Sequence, residues 1–278
     1  MSRLFQASVK ENKQLIKNHY LLTLRPLKKI KAPKPGQFFM LSADNSLDPL
    51  LKRPFSLFRW LNKDIQILYR VVGKLTSILK DKKSDDILEI IGPLGNGFPV
   101  IKGKARPILI GGGIGSAPLF SLAETIKHKK PIFFIGAKTK KEILCTYALK
   151  SIGINPIIST DDGTLGHKGF ITDMLKVFLT HHASRITHYC LYACGPKPML
   201  KELTLLSEKF NLKGYIALEE NMACGVGACL SCVVNTKNGF KRVCKEGPVF
   251  PIEEIKWDAD LADYADVIPT KVGMTEIR

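Results

Sequence analysis

Leu109-Ile110-Gly111-Gly112-Gly113-Ile114-Gly115-Ser116-Ala117-Pro118 passes from an apolar run through glycines into a helix start. The pattern predicts a strand, a tight turn and a helix, with Pro118 in the first helical turn, where a missing N–H is tolerated. Such a turn offers bare N–H groups and the positive end of a helix dipole to a pyrophosphate. Gly111, Gly112, Gly113 and Gly115 are therefore candidate dinucleotide contacts. The run departs from G-x-G-x-x-G, because Pro118 stands where the last glycine belongs. A glycine turn can also do no more than shape the chain. No acidic residue is assignable to a ribose 2′-hydroxyl.

Outward from this turn, residues 104–213 read as one α/β unit. Pro107–Ile110, Pro131–Ile135, Pro156–Ser159 and Tyr189–Tyr192 are continuous apolar runs of the parallel-strand type. Helix-like segments near 117–129, 140–150, 169–180 and 197–210 separate them, which predicts a doubly wound parallel sheet. Ala193-Cys194-Gly195-Pro196 follows the last of these strands. Ligands of open α/β sheets bind beyond the carboxyl ends of strands, which places Cys194 and Gly195 near a nicotinamide ring. The competing reading of Cys194 is a small buried thiol before a turn.

Residues 1–103 have another rhythm. Tyr20–Leu24, Gln37–Leu41, Asp64–Tyr69 and Ile87–Ile91 are short β-rich runs, punctuated by Pro33, Pro35-Gly36, Asn62 and Gly92-Pro93. They predict a small antiparallel barrel or sandwich. Within it, Arg53 and Arg70 can offer guanidinium forks to a diphosphate. Phe55 can stack on an isoalloxazine face, with Ser56 hydrogen-bonding its edge. Thr76 reads as a helix N-cap. Taken singly these are ordinary strand residues; their combination suggests a flavin.

Residues 214–278 hold Cys224, Cys229, Cys232 and Cys244, spaced C-x4-C-x2-C with a fourth thiol eleven residues on. The first three follow the plant-type ferredoxin spacing, in which four thiolates hold a [2Fe–2S] cluster. A structural zinc site or two disulfides are the alternatives for such a set. The acidic tail that follows (Glu253, Glu254, Asp258, Asp260, Asp263, Asp266) has no assigned role.

Composition narrows the classes. A chain of 278 residues, 45% hydrophobic, is long enough for two or three domains with real cores. The longest uncharged stretch, Pro107 to Ala123, is cut by glycines and too short to span a bilayer. The N-terminus lacks an apolar signal region. Seven cysteines clustered toward one end fit a reducing cytoplasm better than a disulfide framework. Cys145 and Cys190 read as core thiols. The net charge of +17 raises the question of nucleic acid, but the lysines are dispersed without interleaved aromatics and read as a solvated basic surface.

Together these stretches make the chain resemble the ferredoxin–NADP reductase superfamily and, more narrowly, the electron-transfer subunits of B-type dihydroorotate dehydrogenases. The matching runs are RPFS (53–56), LYRVVG (68–73), GPLGNGF (92–98), GGGIGSAPL (111–119), TDDGTLGHKG (160–169), CGP (194–196), LEENMACGVGAC (218–229) and VCKEGPVF (243–250). The resemblance implies FAD contacts at Arg53, Pro54, Phe55, Ser56, Leu68, Tyr69, Arg70, Leu75 and Thr76, and cluster ligation by Cys224, Cys229, Cys232 and Cys244. It implies electron flow between NAD(H), FAD and a [2Fe–2S] cluster, serving an FMN-containing catalytic subunit in pyrimidine synthesis, two copies of each chain assembling. Neither nucleic acid nor membrane is an expected partner. A related NAD(P)H:ferredoxin or sulfide-type oxidoreductase subunit is the alternative. Two departures stand out: Leu75 replaces the family's usual glycine, and the tail after about Ile255 is long.

Overall fold

The computed structural model describes residues 3–42 and 48–257. The tail aspartates Asp258, Asp260, Asp263 and Asp266 lie outside the described residues.

The first unit comprises β1 (Arg3–Ile16), β2 (His19–Pro26), β3 (Phe38–Ser42), β4 (Arg53–Ser56), β5 (Arg59–Leu61), β6 (Asp64–Arg70), the short helix α1 (Lys74–Leu79) and β7 (Ile87–Leu94). The strands form one seven-stranded sheet in the order β4-β3-β7-β1-β2-β6-β5, every pairing antiparallel. Alternation places Phe5, Leu22, Leu24, Phe39, Ile65, Ile67 and Ile90 in one interior. The sheet curls until β4 meets β6 through Phe55 and Tyr69, packed edge to face at 6.0 Å.

The second unit runs β8 (Arg106–Gly112), α2 (Ser116–Thr125), β9 (Ile132–Ala137), α3 (Thr146–Ser151), β10 (Ile157–Thr160), β11 (His167–Lys168), α4 (Ile171–His181), β12 (Tyr189–Cys194) and α5 (Lys197–Phe210). It continues through β13 (Gly214–Ala217), β14 (Val233–Thr236), β15 (Gly239–Arg242) and β16 (Val249–Pro251). The sheet order β11-β10-β9-β8-β12-β13-β16 is parallel except for β16, which runs antiparallel to β13. Chain order reverses between β8 and β12, so the glycine turn and the Cys194-Gly195-Pro196 turn sit side by side at the switch point.

The structure departs from the expected elements in several places. The segment after Gly214 is more than a cysteine module: β13 and β16 complete the second sheet, while β14 and β15 form a separate hairpin. The helix expected near 140–150 is split into a 3₁₀ turn at Lys140–Glu142 and α3, because Cys145 takes a left-handed conformation (φ 64°). The strand β1 was not foreseen, since Lys10 to Gln14 is polar throughout; pairing with β2 on one side and β7 on the other makes it a strand.

Helix α2 joins the two units. Residues Ser116 to Ala123 are all buried, because one side packs on the parallel sheet and the other meets the barrel. Phe120 stacks on Phe58 at 4.7 Å, and Arg59 forks onto Glu124 at 3.1 and 2.5 Å. Among the described residues, no helix is long and apolar enough to cross a membrane.

Candidate functional site

A cleft of about 830 Å³ opens between the two sheets, within the size range of cofactor sites. Its barrel wall contains Arg53, Pro54, Phe55 and Ser56 of β4, Leu68, Tyr69 and Arg70 of β6, and Leu75 and Thr76 of α1. The residues expected to contact FAD thus line one continuous surface. Tyr69 is fixed in it: the hydroxyl donates to Asn12 Oδ1 at 3.1 Å, and the ring stacks on Tyr20 at 5.5 Å. Burial holds the Tyr69 phenol above its ordinary range. Arg53 donates to the Leu51 carbonyl at 2.8 Å, which aims one edge of its fork. Arg70 is exposed, and its side chain makes no hydrogen bond or ion pair among the described residues.

The expected N-cap role of Thr76 is corrected. Gly73 caps α1, and Thr76 lies one turn in, at the third helical position. Its hydroxyl accepts the Val72 and Gly73 N–H groups, both at 3.0 Å, and so holds the turn shut. Leu75 turns its side chain into the barrel core, only 4% exposed, so the leucine that replaces a glycine is used as packing.

The far wall comes from Ile114, Ala117 and Pro118 of the glycine turn, Lys197 of α5, and Leu218 to Met222. The glycines themselves stand behind it. A Cβ on Gly111 would meet Ser116 Oγ at 2.4 Å, and one on Gly112 would meet Pro196 Cδ at 2.7 Å. A Cβ on Gly195 would meet Met199 Cε at 2.5 Å. These residues let the two turns pack; Gly113, with φ 54° and open space beside it, is the one with room for a ligand. Cys194 is 1% exposed and does not line the cleft, and burial raises its thiol well above the ordinary range. The wall expected from Cys194 is supplied instead by Leu218, Glu219 and Met222. Glu219 faces the open cleft and is solvent-exposed in it, and desolvation by the surrounding protein raises its carboxyl. Glu220 pairs with Lys197 at 2.6 Å. Of these, Glu219, Glu220 and Pro118 lay within the quoted matching runs, but their types alone did not announce a role.

Met222 lines the cleft, and Cys224 follows two residues later, at most about 7 Å along the chain. The four thiols fall into two pairs. Cys224 Sγ accepts N–H groups from Val226 (3.4 Å), Ala228 (3.3 Å) and its pair-mate Cys229 (3.4 Å). Cys232 Sγ accepts the Cys244 N–H at 3.4 Å, both residues being buried. A two-iron cluster takes two thiolates per iron, and N–H groups aimed at sulfur suit a charged cluster, so this donor set fits. Gly225 (φ 69°) makes the wrap possible where a Cβ would strike Met40 Cγ at 2.5 Å. The loop is thereby seated on the barrel. Hydrogen bonds from Ser231 lower the Cys229 thiol to about 6, whereas burial pushes Cys244 up to about 12.

Comparison with known proteins agrees with this layout. Residues 109–204 match the oxidoreductase NAD-binding domain, and residues 219–256 match the iron-sulfur cluster binding domain of dihydroorotate dehydrogenase B. The dihydroorotate dehydrogenase B (NAD(+)) electron transfer subunit of Caldanaerobacter subterraneus subsp. tengcongensis is 39% identical over 90% of this chain and 97% of its own. That of Clostridium perfringens is 37% identical over 91% and 98%. Among solved structures, an NADH-dependent reduced ferredoxin-NADP oxidoreductase chain superposes with TM-score 0.74 at 25% identity, covering 91% of this chain and 90% of the other. A ferredoxin reductase of carbazole 1,9a-dioxygenase shares the fold at TM-score 0.66 and 20% identity, over 76% and 67%. The chain belongs to the family of electron transfer subunits of dihydroorotate dehydrogenase B, whose cofactors are FAD, a [2Fe–2S] cluster and NAD(H).

Proposed function

We propose that Cys224, Cys229, Cys232 and Cys244 hold the cluster, that FAD lies along the barrel wall of the cleft, and that NAD(H) enters from the turns after β8 and β12. When bound, these groups supply hydride transfer at the flavin and one-electron transfer at the cluster. The chain's own residues position them. Arg53 and Arg70 offer charge to a diphosphate, Phe55 and Tyr69 form a rigid aromatic wall, and Gly113 leaves backbone open toward a dinucleotide. The observation that carries this reading is continuity: Leu218 to Met222 line the cleft, and the cysteine loop begins two residues beyond.

The relatives' shared name extends the reading to a partner. This chain passes electrons between NAD and a separate FMN-containing catalytic subunit that oxidises dihydroorotate to orotate in pyrimidine synthesis. The active assembly is two copies of each chain, in the cytoplasm. Near-complete coverage of both chains by those relatives supports it over a ferredoxin- or sulfide-linked role.

An anaerobic visible spectrum of the purified chain, with iron assay, before and after NADH, tests the core of the proposal. Flavin bands and broad cluster absorption that both bleach with NADH are expected. A protein with zinc and no iron, after cluster loss is controlled for, would refute it. Orotate formation by the single chain would refute the division of labour.

A further inference from the structure

Arg242 ends β15, two residues before Cys244, and reaches across to the loop that carries the first three cysteines. Its Nη1 donates to the Gly227 carbonyl at 2.8 Å. The other edge of the guanidinium forks onto Glu246, Nε to Oε2 at 2.9 Å and Nη2 to Oε1 at 2.5 Å, and the Arg242 backbone N–H reaches the same Oε2 at 2.8 Å. Glu246 is itself tied to the barrel, since Asn96 Nδ2 donates to its carbonyl at 2.9 Å. Arg242 is thus held from one side and aimed at a single carbonyl on the other.

That carbonyl belongs to the peptide unit Gly227–Ala228, whose N–H donates to Cys224 Sγ at 3.3 Å. A peptide unit is planar, so fixing its oxygen fixes the direction of its N–H. A cation on the oxygen also polarises the amide and strengthens the bond its N–H makes. Gly227 needs such a restraint: it sits at φ 86°, where glycine is free to rotate, and has no side chain to hold it.

We propose that Arg242 is a positioning residue for the cluster: through the Gly227–Ala228 peptide it sets the N–H···S hydrogen bond to Cys224 and thereby raises the cluster's reduction potential. The inference rests on Cys224 being a cluster ligand. Hydrogen bonds to cluster sulfurs favour the reduced, more negative state, so weakening one lowers the potential. Glu246 acts one step further out, by holding the fork in place.

The test is a redox titration of the purified holoprotein, followed by electron paramagnetic resonance, in Arg242→Lys, Arg242→Gln and Glu246→Gln. Iron, sulfide and FAD are assayed in each. Lysine retains the charge but cannot both fork onto Glu246 and reach Gly227. At a fixed ambient potential, Arg242→Lys and Arg242→Gln should reduce the ratio of reduced to oxidised cluster by about threefold to tenfold, tenfold being about 59 mV for one electron. Glu246→Gln should give a smaller change of the same sign. An Arg242→Lys protein that titrates like the wild type while Arg242→Gln shifts would show a simple charge effect and overturn the inference. Unshifted potentials in both would do the same. Should Arg242→Gln lack iron, the other two variants decide, and unshifted values in both overturn the inference. Cys224→Ser separates the underlying reading: full cluster content in that variant would remove Cys224 as a ligand, whatever Arg242 does.

Discussion

A Cβ placed on Gly115 would stand 2.3 Å from the carbonyl oxygen of Cys194, so the turns after β8 and β12 touch backbone to backbone at the switch point of the sheet. Gly115 has an ordinary helical φ of −61°, so the requirement is for space and not for backbone freedom. The dinucleotide side of the cleft therefore depends on a packing contact that no ligand makes.

Gly115→Ala should force the two turns apart. Overpacking of this kind costs about 1–3 kcal/mol. Thermal unfolding should register that loss, and NADH titration should show weaker binding while FAD and iron remain at wild-type levels. Unchanged NADH affinity in a destabilised protein would separate the turn's packing from the nucleotide site.

Arg70 stands on the barrel wall with no partner for its side chain among the described residues, and removing it should act on flavin binding more than on folding. Hydrogen bonds to charged groups contribute about 1.5–3 kcal/mol, so Arg70→Ala should weaken FAD binding by roughly one to two orders of magnitude. Flavin titration of the deflavinated chain measures it. Arg53→Ala should give a loss of the same sign, with some effect on the β4 approach, since Arg53 also holds the Leu51 carbonyl.

Phe58 and Arg59 bind the barrel to α2 by one aromatic stack and one ion pair. Phe58 is 7% exposed, and Phe→Ala changes at buried sites cost about 3–5 kcal/mol. Phe58→Ala should lower the unfolding temperature and also loosen FAD, because the cleft lies between the units it joins. Arg59→Ala, at a partly exposed pair, should cost about 1 kcal/mol. Differential scanning calorimetry of both variants ranks them.

What the sequence disclosed follows from how local each signal is. Pro107 to Ile110 is uninterrupted apolar chain and could only be a strand buried on both faces, as β8 is. The cysteine spacing was legible because ligand geometry is written in short intervals. Thr76 was misplaced by one turn because a hydroxyl three residues inside a helix can close the same turn as an N-cap. Cys194 looked like a cleft residue because it ends a strand; its side chain instead joins the apolar cluster between the parallel sheet and α2, which no local pattern states. The Arg242 contact to Gly227 spans fifteen residues of chain and exists only once the hairpin and the cysteine loop are both in place.

Glu219 is one source of pH dependence in the cleft. Its carboxyl is raised above the usual 4.5 by desolvation, so the folded protein binds this proton more tightly than the unfolded chain does. Stability therefore falls as pH rises from about 4.5 through the raised value, and levels off once the group is ionised in both states. Glu219→Gln removes the partly desolvated charge. The variant should match the wild type below about pH 4, where both carry a neutral group, and exceed it in unfolding temperature near pH 7. Equal temperatures at both ends would mean that the cleft solvates Glu219 fully. If the wild type were instead the more stable near pH 7, a partner stabilising the ionised form, such as a bound cofactor's donor, would have to face it; repeating the scan on deflavinated protein tells these apart.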